Sequence, residues 1–509
     1  METASYLTYE DYEIEDLMLY AGIDCLVTSE LAKRLHPLVG RRDKYISINH
    51  KKKETVTLPA ILEDYSLYTN TVHEFIVDLE LNGFKYDIDA NEVMRIRMEK
   101  EVAGLEREIF SVLGKVINLD SAELGELLYE EAPKGYCLEA KNFTKTGEKS
   151  TDGDALKELL KRYPEHTWLG TIAKRNDIVS LYRTFISTYV RDFVKSDGRI
   201  HPTYNLHGTS SGRPSGEDPN LTQLPRTKHG YNIRTLYIVD KGYVFLAFDY
   251  SSAEVKILGA LCKDEKLLQA IADGLDFHSF SACELNGLDY TEFVAVIGDY
   301  THPKYPEFKG LRQIAKALGF SIIYGSTAKG VAYNLGISVE RAQELISLYF
   351  RLYPGIEDYV NDSHEMAKLN GYVITPFGRR KMEFGCLPVY KGTAVYNGAL
   401  RNSQNVRVQS TASEFALQCF SRYNTAIKPL GGKSLATVYD STEVQIPIQY
   451  AAQALELAYY HLEEEPVKLY DWLDLPVTID AEIGTSWGNA VHIKRGTTQK
   501  EIEEMLKEF

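Results

Sequence analysis

The sequence lacks several features that would place it in a common class of protein. No run of about 18 apolar residues occurs in the chain, so a membrane-spanning helix is not expected. The first residues contain neither a basic region nor an apolar core, so a signal peptide is not expected. None of the six cysteines lies in a CxxC pair or beside histidines at zinc-ligand spacing, which favours buried free thiols in a reducing compartment.

An excess of basic residues is also missing. Lys and Arg total 57 against 72 Asp and Glu, which gives a formal net charge of -15. Taken alone, this charge argues against a nucleic-acid-binding protein, because phosphate contacts need cationic side chains. Net charge describes solubility and steering, however, and not local sites. The charge therefore lowers the expectation of nucleic-acid binding without deciding the question.

The length of 509 residues predicts roughly two to four domains, and the patterns along the chain predict a mixed α/β fold. Apolar residues at helical spacing predict helices within residues 11–38, 64–115, 154–193 and 311–335. Short apolar runs predict a buried strand at 243–248 and a hairpin at 435–448. Polar composition predicts loops or exposed hairpins at 39–60, 141–151 and 299–310.

Two aspartates stand at the ends of these predicted strands. Asp249 follows the buried strand, and Asp440 lies at the turn of the hairpin. Two carboxylates at strand ends can hold two Mg²⁺ ions for in-line phosphoryl transfer. An isolated aspartate at a strand end more often caps a turn, so the pair alone is a weak indication.

The segment 312–325 is more specific. Arg312, Lys316, Phe320 and Tyr324 recur every four residues, which places them on one face of a helix. The two cations suit a triphosphate, and the two rings suit a stacked base. A solvated charged turn that runs into an aromatic core stripe has the same spacing, so the spacing leaves both interpretations open.

A second polar helix face carries Arg401, Asn405 and Gln409, again four residues apart. The minor-groove edges of all base pairs present shared acceptors, so donors on such a face can test the shape of a pair without reading its sequence. On spacing alone, an ordinary solvated polar face is the favoured interpretation.

Six segments in this order also match the motifs of a known family. They are residues 211–213 with 218–221, 249–254, 312–325, 401–409, 439–441 and 483–487. In these segments the chain resembles family A DNA polymerases, the bacterial DNA polymerase I family, and most of all its phage branch. The resemblance extends from about residue 60 to about residue 495. Chance agreement of six ordered motifs is negligible, so the resemblance favours the functional interpretation of each cluster.

The resemblance implies a role for each matching residue. Asp249 and Asp440 would be the catalytic residues and the ligands of two Mg²⁺ ions. The nucleotide would be bound by Arg312, Lys316, Phe320, Tyr324, His278 and Glu254, the last as a steric gate against a ribose 2′-hydroxyl. Primer-template DNA would be contacted by Arg213, Asn220, Arg401, Asn405 and Gln409.

The resemblance further implies a right-hand polymerase architecture with an antiparallel-sheet palm, helical fingers and a helical thumb. The expected parts are an exonuclease-domain remnant and linker at 1–59, a thumb at 60–195, a palm at 196–265 and 400–509, and fingers at 266–399. The implied activity is template-directed addition of dNTPs to a primer 3′-hydroxyl. The phage branch implies a role in replication in the cytoplasm of a host.

Two departures from the family pattern concern the active site. Tyr439-Asp440-Ser441 stands where the family has His-Asp-Glu, so the third carboxylate is missing. Thr222 replaces a glutamine that follows the Asp-Pro-Asn-Leu segment, which removes one expected duplex contact. Since two-metal chemistry depends most on the aspartates, activity is expected to survive both changes.

A third departure concerns proofreading. Tyr20 and Asp24 fit the last exonuclease motif, YxxxD, but 19 residues precede them and the other exonuclease motifs are missing. Asp78-Leu79-Glu80 resembles another of those motifs but lies within the first predicted thumb helix. No intrinsic proofreading is therefore expected, and a separate 3′–5′ exonuclease subunit or other replisome proteins are expected partners.

Two other functions were weighed against DNA synthesis. A single-subunit RNA polymerase shares motif B, but its pattern has Met at the place of Phe320 and lacks the gate at Glu254. A catalytically dead DNA-binding protein would have no need to retain both aspartates and the Arg312–Lys316 pair, and only Ser441 favours it.

Replacing Glu254 with alanine tests the substrate class. If the carboxylate side chain fills the space of a 2′-hydroxyl, the Glu254→Ala variant incorporates ribonucleotides at least about tenfold better relative to deoxynucleotides. Glu254→Gln, which keeps the size of the side chain, is the matched control and retains the discrimination. The measurement is primer extension with each nucleotide type, and unchanged discrimination in the alanine variant would contradict the gate.

Overall fold

The computed structural model describes residues 44–49, 52–57, 61–144 and 146–509. The helix predicted at 11–38 and the YxxxD residues Tyr20 and Asp24 lie outside the described residues. The strands are β1 (Lys44–Asn49), β2 (Lys52–Thr57), β3 (Phe84–Tyr86), β4 (Arg199–Ile200), β5 (Thr203–Asn205), β6 (Ser215–Glu217), β7 (Tyr237–Ile238), β8 (Tyr243–Tyr250), β9 (Tyr372–Ile374), β10 (Arg380–Met382), β11 (Lys433–Val438), β12 (Ser441–Pro447), β13 (Ile479–Gly484) and β14 (Val491–Ile493).

The helices are α1 (Ile61–Asn82), α2 (Ile88–Leu113), α3 (Ala122–Tyr129), α4 (Gly153–Arg162), α5 (Trp168–Leu181), α6 (Ala253–Cys262), α7 (Glu265–Ala272), α8 (Phe277–Asn286), α9 (Tyr290–Gly298), α10 (Tyr305–Ile323), α11 (Ala328–Leu335), α12 (Val339–Leu352), α13 (Pro354–Asn370), α14 (Ala394–Ile427), α15 (Ala451–Tyr459), α16 (Glu465–Leu469) and α17 (Gln499–Met505). Short π-helical segments extend α5 at Tyr182–Ser187 and Tyr189–Phe193. The predicted mixed α/β fold class is therefore confirmed.

A five-stranded sheet forms the centre of the molecule. Its strand order is β11-β12-β8-β13-β14, and every neighbouring pair is antiparallel. Successive side chains of a strand point to opposite faces. Leu246 and Phe248 of β8 accordingly pack in one core and Phe245 in another. Because both faces of β8 are covered, its sequence is apolar almost throughout.

Helix α14 packs against the sheet and supports the end of β8. Phe248 meets Tyr423 of α14 edge to face, with ring centroids 5.2 Å apart. Tyr250 stacks on Phe420 at 5.8 Å and donates a hydrogen bond from its hydroxyl to the Leu462 carbonyl at 2.8 Å. Asp249 lies between these two anchored aromatic residues, so the core fixes its backbone.

Two helical regions have cores of their own. Between α2 and α5, Ile109, Leu156 and Trp168 belong to a separate apolar cluster. Around α8 to α10, Phe293 and Phe308 stack at 4.7 Å within another. These clusters fall in the ranges expected for a thumb and for fingers, while the domain boundaries themselves stay a prediction.

Several local predictions are confirmed. The polar segment 39–60 contains the hairpin β1–β2, which packs against α13. The hairpin at 435–448 is formed by β11 and β12. The predicted helices in 64–115 are α1 and α2, so Asp78-Leu79-Glu80 is helical, where Asp78 accepts a hydrogen bond from Asn424 at 2.6 Å.

The prediction of a single helix at 311–335 is wrong at its centre. Helix α10 ends at Ile323 and α11 begins at Ala328. Gly325 between them has a φ of +69°, and a Cβ there would lie 2.6 Å from the Cβ of Arg401. The chain therefore turns where α14 approaches it, and glycine is needed for both reasons. The loop predicted at 299–310 is also too long, because α10 begins at Tyr305 with a proline in its first turn.

The cysteine prediction holds for four of the five described cysteines, which are buried and free, whereas Cys137 is exposed. Cys137 lies in the irregular segment between α3 and α4. Within the described ranges, no helix combines the length and apolarity that a bilayer-spanning segment needs.

Truncating Phe248 tests the packing beneath the active strand. Its side chain is fully buried, so Phe248→Ala is expected to lower the free energy of unfolding by about 3–5 kcal/mol. Tyr333→Ala, at a side chain that is 88% exposed, is the control and changes stability by less than about 0.5 kcal/mol. Urea unfolding followed by intrinsic fluorescence measures both, and equal midpoints for the two variants would show that β8 does not depend on this ring.

Candidate active site

Asp249 and Asp440 lie next to each other at one end of the central sheet. In the pairing of β8 with β12, Asp249 is opposite Ser441, the residue after Asp440. The Tyr250 amide also donates a hydrogen bond to the Asp440 carbonyl at 3.0 Å. Asp440 sits with Tyr439 in the tight turn between β11 and β12. The structure thus brings together the two aspartates that the sequence places far apart.

The electrostatic environment of these aspartates favours a bound cation. Loss of hydration, together with the negative charges of Asp440 and Asp480, raises the pKa of Asp249 to about 7. Loss of hydration also raises the pKa of Asp440, while the charge of Arg213 opposes this. Within the described residues, neither carboxylate forms a salt bridge at 4.0 Å or less. A divalent cation would relieve the repulsion between them.

The donor set fits a hard cation of the Mg²⁺ type. Among the described residues, no group of three or more His, Cys, Asp or Glu side chains converges as a ready-made metal cage. Mg²⁺ is commonly held by one or two carboxylates, with water and substrate phosphates completing its octahedron. Asp249 and Asp440 supply carboxylates of that kind, and Asp249 faces solvent on one side.

One further acidic residue near Asp249 was missed by the sequence reasoning. Asp480 of β13 lies directly opposite Asp249 in the ladder, on the other side from Ser441. Its Oδ2 accepts a hydrogen bond from Ser251 at 2.7 Å, so this carboxylate is already engaged. In the sequence, the only indication of Asp480 was that acidic and apolar residues alternate in this strand near the C-terminal end.

The exposed face of α10 carries the residues predicted to bind the triphosphate and the base. The Lys316 ammonium is exposed and lies 5.8 Å from the Phe320 ring centre. Phe320 stacks on Tyr324 at 5.9 Å and contacts the His278 ring at 5.6 Å. Burial lowers the pKa of His278 to about 4, so its imidazole is neutral at pH 7 and can donate a single ring N–H.

Arg312, on the same face, is held by Asp276. The guanidinium donates to both carboxylate oxygens at 2.8 and 3.0 Å and to the Ser279 hydroxyl at 3.2 Å. Asp276 also caps α8 by accepting from the Ser279 amide. Asp276 is a second residue that sequence reasoning missed, and its position two residues before His278 was the available signal.

Glu254 connects the nucleotide face to the predicted duplex face. One carboxylate oxygen accepts from the Arg213 guanidinium, and the other accepts from the Tyr324 hydroxyl at 2.8 Å. The Arg213 guanidinium in turn lies over the Tyr439 ring, 5.3 Å from its centre. The predicted gate Glu254, the predicted nucleotide-binding residue Tyr324, the predicted DNA-contacting residue Arg213 and the turn that carries Asp440 therefore form one contact network.

The polar face of α14 lies alongside this network. Arg401, Asn405 and Gln409 are half-buried, and the Asn405 Oδ1 has no hydrogen-bond partner in the described part of the chain. Their neighbour Gln404 was not predicted as a site residue. Its amide donates to the Ile322 carbonyl at 2.7 Å, which ties the C-terminal end of α10 to α14.

Asn220 is engaged in its own turn. Its Oδ1 accepts from the Thr222 amide at 3.0 Å and from the Thr222 hydroxyl at 2.6 Å. Thr222, which departs from the family glutamine, therefore holds Asn220 in place. A contact of Asn220 with DNA stays a prediction.

Comparisons with known proteins agree with this geometry. Residues 88–489 match the sequence profile described as DNA polymerase family A. This chain belongs to that family.

The matches to individual relatives span most of this chain. The thermostable DNA polymerase I of Thermus filiformis is 29% identical over 81% of this chain and 46% of its own. DNA polymerase I of Pseudomonas aeruginosa is 28% identical over 96% of this chain and 49% of its own. The chain thus spans about half the length of the curated relatives it matches.

A solved structure matches the fold as well. The POL domain of Pol1 from M. smegmatis, in complex with DNA primer-template and dNTP, superposes with a TM-score of 0.72 at 28% identity. The match covers 85% of this chain and 73% of that one. The right-hand architecture expected from the sequence is therefore confirmed at the level of the fold.

The raised pKa of Asp249 predicts a pH-dependent stability in the absence of divalent cations. Its pKa of about 7 lies above the value of about 4 in an unfolded chain, so the folded state binds the extra proton in between. The contribution of Asp249 to the free energy of unfolding is therefore fully present below about pH 4 and is lost as the pH rises through about 7.

Thermal unfolding in EDTA across that range measures the effect. Asp249→Asn is expected to flatten the pH dependence, and added Mg²⁺ is expected to restore stability to the wild type above pH 7, because it binds the ionised carboxylates of the folded state. An identical pH profile for the variant would contradict the assigned repulsion.

Proposed function

We propose that the protein is a template-directed DNA polymerase that adds deoxynucleotides to a primer 3′-hydroxyl by two-metal phosphoryl transfer. The observation that carries this proposal is the pairing of β8 with β12, which sets Asp249 beside Asp440 with no salt bridge to either carboxylate from the described residues. The face of Lys316, Phe320 and Tyr324 on α10 supports it. So does the M. smegmatis relative, whose structure contains primer-template and dNTP.

In this proposal, Arg312 and Lys316 bind the phosphates of the incoming nucleotide. Arg312 is pre-oriented by Asp276, so little freedom is lost when it engages a phosphate. Neutral His278 donates a hydrogen bond to a phosphate oxygen, and Phe320 supports the base or the sugar. Asp249 and Asp440 would hold two Mg²⁺ ions, which would supply Lewis acidity at the reacting groups.

Selection of the correct nucleotide would depend on the network around Glu254. Its carboxylate is fixed by Arg213 and Tyr324, so its position as a gate is rigid. Tyr324 would leave this contact when α10 rotates to cover a correct pair, which is a common way to couple specificity to closure.

The primer-template duplex would follow the polar face of α14. Arg401, Asn405 and Gln409, together with Arg213, are long donors able to reach acceptors in the minor groove. The Asn405 amide nitrogen can donate to such an acceptor, whereas its unpartnered Oδ1 could accept from the amino group of a guanine. The phage-type role, the cytoplasmic location, the lack of proofreading and a separate exonuclease subunit rest on the sequence alone and stay predictions.

Extension of a 5′-labelled primer on a DNA template with Mg²⁺ and dNTPs tests the proposal. Asp440→Ala is expected to lower the extension rate by about 10²-fold or more, because the charge that develops at the reacting phosphate loses its stabilisation. Asp154→Ala, at an exposed aspartate of α4, is the control and extends like the wild type.

Two outcomes would contradict parts of the proposal. Equal extension by wild type and Asp440→Ala would remove Asp440 from the chemistry. Shortening of the primer in a control without nucleotides would show that the chain degrades DNA, against the predicted lack of proofreading.

A further inference from the structure

The residue after Asp440 departs from the family pattern, and the structure shows what accompanies the change. Ser441 stands where the sequence analysis expects a third carboxylate. Its hydroxyl donates a hydrogen bond to Oε1 of Glu443 at 2.8 Å. A carboxylate is therefore present next to position 441, two residues further along the same strand.

Glu443 lies on the same face of the sheet as Ser441 and Asp249. Residues 441 and 443 are two apart in β12, so their side chains point to the same face of the sheet. They pair with Asp249 and Ala247 of β8. The Glu443 side chain is only 2% exposed. Its second oxygen, Oε2, has no hydrogen-bond partner in the described part of the chain. A buried carboxylate without full partners is costly, so its position beside the active strand calls for a reason.

The hydrogen bond fixes what Ser441 presents to the site. A serine hydroxyl has one hydrogen and two lone pairs. When the hydrogen is donated to Glu443, only lone pairs remain for any group bound next to Asp249. The hydroxyl can then act solely as an acceptor, toward a cation-bound water or the primer 3′-hydroxyl. Without Glu443 the hydroxyl would keep only its longer contact with the Val438 carbonyl, at 3.3 Å, and could more readily offer its hydrogen to a bound group.

The charges around Glu443 suit this arrangement once cations are bound. Burial raises the pKa of Glu443 to about 8, while the hydrogen bond from Ser441 and the charge of Arg234 oppose this. The carboxyl is therefore mostly protonated at neutral pH in the cation-free protein, and positive charge held by Asp249 and Asp440 would shift it toward the ionised form that accepts from Ser441. The buried Nε of Arg234 also has no hydrogen-bond partner among the described residues, so Arg234 keeps a donor free on that side.

The other acidic residues on this face do not fit the same role. Asp480 is engaged with Ser251 through its Oδ2. Glu482 lies opposite Ala247, as Glu443 does, but it belongs to β13 on the other side of β8. Of these three carboxylates, Glu443 is the one that bonds to residue 441.

We propose that Glu443 is a positioning residue of the polymerase site, which acts through Ser441 in place of the third carboxylate that the family pattern has at position 441. The proposal rests on the proposed function. It assigns to the half-buried Ser441 and the buried Glu443 the orientation of an acceptor beside the proposed metal ligands. Partners of this kind, one step removed from the metal, commonly change metal affinity or activity when they are altered.

Four variants test this proposal: Glu443→Gln, Ser441→Ala, their combination, and Glu482→Gln as the matched control on the same sheet face. Glu443→Gln keeps the size of the side chain and offers an amide to Ser441. The readouts are the single-turnover extension rate, the KM for dNTP, and Mn²⁺ binding to the protein–primer-template complex, followed through the EPR signal of free Mn²⁺.

We expect Glu443→Gln to lower the extension rate and weaken Mn²⁺ binding by about 10–100-fold, with the KM for dNTP almost unchanged. Ser441→Ala gives losses of the same kind, and the double variant is no worse than the more damaging single one, since both residues act through one hydrogen bond. Glu482→Gln behaves as the wild type. A Ser441→Glu/Glu443→Gln variant, which returns the carboxylate to position 441, recovers rate and Mn²⁺ binding.

Other results would overturn the proposal. Wild-type rate and Mn²⁺ binding in Glu443→Gln would show that the carboxylate positions nothing. Additive losses in the double variant would show that the two residues act separately. A lower melting temperature with unchanged Mn²⁺ binding would reduce Glu443 to a structural role. If the wild type fails to extend any primer, the proposed function fails, and the Mn²⁺ titration still decides whether Glu443 supports the cation site.

Discussion

The antiparallel pairing of β8 with β12 is the interaction on which the site depends. It places Asp249 opposite Ser441 and so brings Asp440 within reach, although the two negative charges repel each other. Hydrophobic packing stabilises this arrangement from below, where Phe248 and Tyr250 pack against α14. Because the fold holds the carboxylates together before any ligand arrives, a cation that binds there meets a pre-organised pair.

The helical part of the site is held by polar contacts of a different kind. Asp276 orients Arg312, and Gln404 ties the end of α10 to α14. These contacts are hydrogen bonds between side chains or to the last carbonyls of a helix, and α10 also buries Leu318, Ile322 and Ile323 in the central core. The sheet thus fixes the two aspartates proposed to bind metal, and the packing of α10 positions the face proposed to bind the nucleotide.

The unusual turn sequence is integrated into both parts. Tyr439 lies beneath the Arg213 guanidinium, and Arg213 pairs with Glu254. Ser441 bonds to the buried Glu443. Both departures in this turn therefore have a defined partner, which supports an adapted site and argues against a decaying one.

The sequence by itself determined most of the candidate site residues, but not Asp276, Gln404 or Asp480. The four-residue spacing on α10, the polar face of α14 and the two strand-end aspartates could be predicted from the sequence, because helix and strand periods are local properties. Only the tertiary structure decided that Asp249 lies opposite Ser441, that Asp276 holds Arg312 and that α10 ends at Ile323. Strand register, long-range ion pairs and the close approach of Arg401 to Gly325 depend on residues far apart in the chain, and no local pattern encodes which distant partner a residue meets.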